Sequence, residues 1–251
     1  MASWSTKRKY GYFAAAIGLL VIFVGIPTFF ALYEAPTCFD GRQNGGERGV
    51  DCGGKCQRLC AADFAPPRVL WTYSMRVVPG VYNAIAYVQN PNPSAEASKL
   101  PYTMKLYDAE GILVSQRTGT AYVPAGARFP VFEGGIQTGS RVPTRTTFEF
   151  ADNPQWQPAE QINILSRLTV DVIEGPKPSA EAKIRNVSVN LSAISMDAFL
   201  ILYDETDNRI AFSKTVIDSI APGEIKTLYF TWAEPFPRKV VRSELLFVPS
   251  R

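Results

Sequence analysis

The chain has 251 residues, 46% apolar and 20% charged, with a formal net charge of +3. That balance excludes wholesale disorder, and so small a charge argues against a nucleic-acid surface. Histidine is absent, which removes Ser-His-Asp triads, Cys-His pairs, His-ligated zinc and His general bases together.

Residues 1–9 include Lys7, Arg8 and Lys9, and from Tyr10 to Tyr33 no residue is charged. A helix over 10–33 reaches about 36 Å, enough to cross a hydrocarbon core of about 30 Å. Tyr10, Tyr12 and Phe13 at one end and Phe29, Phe30 and Tyr33 at the other are placed as interfacial rings. Lysine and arginine before the span, with Glu34 after it, predict a cytoplasmic N-terminus and an extracytoplasmic remainder. Pro27 predicts a kink. A cleaved signal peptide is the competing reading, with Ala14–Ile26 as its apolar region, but no small-x-small cleavage site follows it. Gly11, Ala14, Ala15 and Gly18 would let spans approach closely, so self-association into a homo-oligomer is one expected mode.

All four cysteines, Cys38, Cys52, Cys56 and Cys60, fall in residues 34–63. An even number in a short exported segment predicts two disulfides, with three pairings open. A four-thiolate zinc site is the rival, but the spacing lacks paired CxxC knuckles. Asp40, Asn44, Glu47 and Asp51 lie among glycines and offer oxygens of the kind calcium takes. Their order does not match an EF-hand, and tight-turn chemistry accounts for the same residues. The stretch Cys38, Asp40, Gly41, Asn44, Glu47, Gly49, Val50, Asp51, Cys52, Gly53, Gly54, Cys56 resembles a Cys-rich motif of exported microbial surface proteins. That resemblance implies a small disulfide-bonded spacer and no chemistry.

Beyond Phe64 the chain repeats itself. Tyr87–Asp108 aligns without a gap on Lys183–Asp204, 96 residues later. Asn90 falls on Asn186, Leu106 on Leu202, Tyr107 on Tyr203 and Asp108 on Asp204, while Pro124-Ala125-Gly126 answers Ala221-Pro222-Gly223. So long a period suits a duplicated domain, not a solenoid. Period-2 runs mark antiparallel strands: Tyr102, Met104 and Leu106; Leu168, Val170 and Val172; Leu228, Phe230 and Trp232. Hairpin turns are expected at 108–111 and 204–208. The predicted fold is all-β: two tandem immunoglobulin-like sandwiches, residues 64–153 and 154–251, of about seven strands each. The boundary is expected in the Pro-rich stretch 151–158.

An apolar strand ending in Leu-Tyr-Asp, with an upstream Asn and a downstream Pro-Gly turn, resembles the FxLYD and late-embryogenesis-abundant-type sandwich domains. Met104 and Leu200 stand where that pattern has Phe. The resemblance implies fibronectin-type sandwiches that are non-enzymatic extracytoplasmic modules.

The sequence offers little catalytic equipment. Asp108 and Asp204 sit in separate copies, each reading as the start of a turn, whereas a glycosidase pair must lie within about 5–10 Å. Tyr107 and Tyr203 read as packing residues. Trp71, Trp156 and Trp232 fit either buried cores, an interdomain contact, or a sugar-stacking surface. Asn186 and Asn190 head Asn-x-Ser acceptor patterns. No catalytic residue and no cofactor is expected. The function expected is a membrane-anchored interaction or assembly module contacting an envelope or surface protein, with carbohydrate binding or adhesion as the alternative. The stretch 125–141, with Phe129 and Phe132, is one candidate contact, unless both rings pack inward.

Overall fold

The computed structural model describes residues 4–33, 35–151, 153–159 and 164–250. Glu34, after the expected span, and Asp152, within the expected boundary, lie outside the described residues. The chain divides into two compact units, Met1–Lys55 and Cys56–Arg251.

The first unit begins with helix α1 (Trp4–Leu20), continues through one π turn (Val21–Gly25), and ends as α2 (Ile26–Leu32). The π turn answers Pro27. Proline has no N–H, and its ring clashes with the carbonyl four residues back. Here the Ile26 N–H donates to Val21 O, five residues back, which widens the helix just ahead of the proline. The run Arg8–Leu32 is long and apolar enough for a membrane span or a signal sequence. The rest of the unit is held by turns, and all four cysteines of the chain are disulfide-bonded.

Among its described residues, the regular structure of the second unit is β apart from a 3-10 turn at Ala61–Asp63. Its first sandwich contains β1 (Arg68–Val78), β2 (Val81–Gln89), β3 (Ala95–Tyr107), β4 (Leu113–Val123), β5 (Arg128–Gln137) and β6 (Arg145–Phe150). A short β7 (Gln157–Pro158) adds to β3. The second contains β8 (Leu165–Ile173), β9 (Ser179–Asn186), β10 (Ala193–Tyr203), β11 (Arg209–Ile220), β12 (Ile225–Thr231) and β13 (Arg242–Pro249). Sheet orders are β1-β2-β5 and β4-β3-β6, then β8-β9-β12 and β11-β10-β13, all antiparallel. The copies therefore share one topology, strand for strand.

Where about seven strands per copy were expected, each copy forms six long ones among the described residues. After β6 the chain turns away, and Trp156 drops into the first core at 1% exposure, behind the expected boundary at 153/154. Thus β6 and β13 stay as sheet edges. The alternation places Tyr102, Met104, Leu106, Leu228, Phe230 and Trp232 inside. Leu168 departs from it: a bulge between Arg167 and Thr169 interrupts the register and leaves that side chain exposed.

The sandwiches stack sheet on sheet. Ile85 and Tyr87 of β2 meet Ile201 and Tyr203 of β10 and Phe212 of β11, flanked by Trp71, Tyr73, Met75, Phe132 and Leu246. Both β2 and β10 are consequently buried on two faces, which explains their nearly continuous apolar runs. Most of the duplicate positions outside this contact are polar, although Tyr203, Met75 and Phe132 fall on Tyr107, Ile173 and Tyr229. Strand register matches Ile201 with Lys105, Phe212 with Gln116 and Leu246 with Glu149. It likewise matches Ile85 with Glu181, Tyr87 with Lys183 and Tyr73 with Asp171. One face of each copy is apolar to meet the other, and its counterpart is mostly hydrophilic, which discourages further head-to-tail stacking.

Candidate functional site

Two turn motifs recur in both copies. Asn90 and Asn186, fully buried, each use the side-chain N–H₂ to bridge two carbonyls: Ala95 and Pro124 in one copy, Leu191 and Ile220 in the other. Each Oδ1 accepts a backbone N–H two residues on, from Asn92 and Ser188 respectively. Asp108 accepts the Ile112 N–H and pairs with Arg141. Asp204 accepts the Thr206 and Asn208 N–H groups and pairs with Arg238 at 2.7 Å. Burial by itself would raise the Asp204 carboxyl. The Arg238 hydrogen bond and those from Asn208 and Thr206 outweigh it and hold the group well below the usual carboxylate range. Asp108 is held down in the same way, with Ile112 and Arg141 opposing its burial. These aspartates are ionised turn-closers. Sequence reasoning missed the arginines, though they follow their aspartates by 33 and 34 residues in the two copies.

The junction between the sandwiches contains a further polar group. The Tyr203 hydroxyl donates to one Glu244 oxygen at 2.9 Å and the Tyr87 hydroxyl donates to the other. Burial foremost, then the glutamate, pushes both phenols well above their usual pKa. Arg242 lies 3.6 Å from the centroid of the Tyr203 ring and also pairs with Asp207. Arg209 stands 4.9 Å over Trp71, which packs on Tyr87. Beside this knot runs a cleft of about 820 Å³ between the β4–β5 turn of the first copy and β13 of the second.

The other expected site residues occupy structural positions. Asp51 accepts the Asp40 and Gly41 N–H groups, and Asp40 accepts those of Thr37 and Arg42. Glu47 accepts the Asn44 and Asp51 N–H groups, while Asn44 donates to Asp40. The Asn44 hydrogen bond, with those of Thr37 and Arg42, lowers the Asp40 pKa. These oxygens are turned onto backbone, although Asn44 Oδ1 is buried without a partner. Disulfide bonding leaves Cys38, Cys52, Cys56 and Cys60 without thiolates for a metal.

Residues 125–141 form a turn followed by β5. Phe129 is buried in the first core and Phe132 packs at the junction, so both rings point inward. Trp156 and Trp232 are buried, and Trp71 is half-buried beneath Arg209. Asn186 is too buried to accept a glycan, whereas Asn190 is exposed.

No family model and no curated protein matches the chain. Among solved structures, the crystal structure of red sea bream transglutaminase is similar over 73% of this chain, at 12% identity and a TM-score of 0.23. The match takes in 28% of that enzyme's chain, and at that similarity nothing about activity carries over.

Proposed function

We propose that the chain is a non-catalytic, single-pass membrane protein with a cytoplasmic N-terminus, whose FxLYD-like sandwiches act outside the cytoplasm as one protein-interaction body. The observation that carries this reading is the use made of its polar groups. Asp108 and Asp204 close turns, Glu244 ties Tyr87 to Tyr203, and Glu96 accepts the Tyr122 hydroxyl. Each is committed to holding the fold, and the aromatic junction joins two modules into one presenting surface. The apolar helix supplies the tether.

Crosslinking of the native chain in intact membranes tests the proposal. The expected result is one specifically enriched envelope protein. Enrichment of envelope polysaccharide with no protein above background would replace it with the carbohydrate reading.

A further inference from the structure

We propose that the open edge of β13 accepts an extended, acidic-ended peptide strand from a partner protein, which completes the second sandwich as its missing last strand. This deepens the interaction reading above and rests on it.

Hydrogen-bond parity defines the edge. The Ser250 N–H donates to Ser195 O in continuation of the β10–β13 register. In an antiparallel pair, alternate residues bond the partner strand and those between them point away. Ser243, Leu245 and Phe247 therefore direct their N–H and C=O groups outward.

The first copy provides an internal comparison. There the Ala151 N–H donates to Pro101 O, which sets the same parity on β6. The outward carbonyl of Thr146 is taken by the Thr72 hydroxyl of β1 at 2.6 Å, so β1 lies against that stretch of the edge. In the second copy, among the described residues, the matching carbonyl, Ser243 O, is met only by the exposed side chain of Arg167 at 2.9 Å. Among the described residues nothing meets the outward groups of Leu245 and Phe247. An unpaired edge of this kind is a template for strand addition.

The space beside the edge fits a strand. The cleft of about 820 Å³ borders Leu245–Phe247 and Pro249, and one of about 470 Å³ borders Val240–Ser243, with Arg167 lining both. Seven residues from Ser243 to Pro249 span roughly 23 Å at strand rise. A strand laid there points alternate side chains at Met196 and Leu165 on one side, and at Ala125 and Ala127 on the other. That selects apolar or small residues throughout the middle of the peptide. Arg128 and Arg167 line the larger cleft with no acidic residue among its described lining, and Arg167 and Arg242 outweigh Glu174 in the smaller one, which selects acidic ends.

The test uses the full chain in lipid nanodiscs and a nine-residue peptide of alternating valine and threonine with a glutamate at each end. Binding is read by fluorescence anisotropy and by hydrogen exchange. The expected result is saturable binding, with exchange of the Leu245 and Phe247 amides slowed about tenfold or more. N-methylation of the peptide amides of one parity abolishes binding, while methylation of the other parity leaves it. Ser243→Pro removes one outward N–H, which an edge strand tolerates, and weakens binding about tenfold with unchanged circular dichroism. No binding up to about 1 mM, binding without protection of those two amides, or binding indifferent to N-methylation overturns the assignment. A membrane partner crosslinked equally by native chain and Ser243→Pro also overturns it while the interaction reading stands. Failure to capture any partner removes the interaction reading itself.

Discussion

Replacing Glu244 by alanine leaves two phenols without their acceptor at once. The carboxylate receives the Tyr203 hydroxyl on one oxygen and the Tyr87 hydroxyl on the other, so a single side chain from β13 ties the sheets of both sandwiches. Hydrogen bonds to a charged acceptor contribute roughly 1.5–3 kcal/mol each, and both phenols stay buried without that acceptor. Glu244 keeps 27% of its side-chain surface, which argues for the lower end. The expected loss is about 3 kcal/mol, read as a shifted urea midpoint of the full chain in detergent micelles. Glutamine retains one acceptor oxygen and offers its N–H₂ to the other phenol, so Glu244→Gln costs about 1 kcal/mol. Tyr87→Phe and Tyr203→Phe, combined with Glu244→Ala in double-mutant cycles, should each return a coupling of about 1–2 kcal/mol. A Glu244→Ala loss below about 0.5 kcal/mol, or no coupling to either tyrosine, refutes the view that this group fastens the junction.

Four further outcomes follow from the same structure. The Tyr87, Tyr102 and Tyr203 phenols have folded pKa values raised above the unfolded value of about 10. Their contribution is whole below that pH and fades as pH rises toward the folded values, so denaturant midpoints should fall steeply above about pH 10. Asp204 is depressed instead, so its contribution is present above about pH 4 and lost as pH falls through the folded value. Arg238→Ala should raise its pKa by NMR titration and move acid unfolding to higher pH. Trp156→Ala empties a large site in the first core and should cost about 3–5 kcal/mol by urea titration. Gly54 has φ +62°, and a Cβ there would run into Gly46 O. Gly54→Ala should therefore cost roughly 1–2 kcal/mol from backbone conformation alone and lower the yield of oxidised protein, measured by thiol titration.

The sandwiches were legible because side-chain period survives in strands such as Tyr102–Leu106 and because Asn90 and Asn186 recur at matching places. Leu168 was misread, since a one-residue bulge changes which face a side chain meets without altering the composition. The junction was harder to see, yet a signal was present. Ala198–Tyr203 is almost unbroken apolar sequence, and setting Ile201 against Lys105 shows one copy apolar where its duplicate is charged. The Glu244 knot depends on three residues brought together by stacking, a distance no local pattern encodes. The open β13 edge was illegible for a different reason: it depends on Arg167 standing beside Ser243 where Thr72 closes Thr146. The aspartates of the cysteine-rich segment read as turn formers or calcium ligands alike, and their hydrogen bonds to Asp40, Gly41 and Arg42 N–H groups supply the turns.

The most direct test of the account is amine labelling of intact cells with a membrane-impermeant reagent, followed by peptide mass spectrometry of the full chain. Lys99, Lys177 and Lys239 are exposed on the sandwiches, and Lys9 precedes the uncharged stretch Tyr10–Tyr33. The account predicts that the three sandwich lysines are modified in intact cells and that Lys9 is modified only after permeabilisation. Modification of Lys9 with protection of the other three would contradict the orientation, and a mature chain beginning after the apolar run would contradict the anchor.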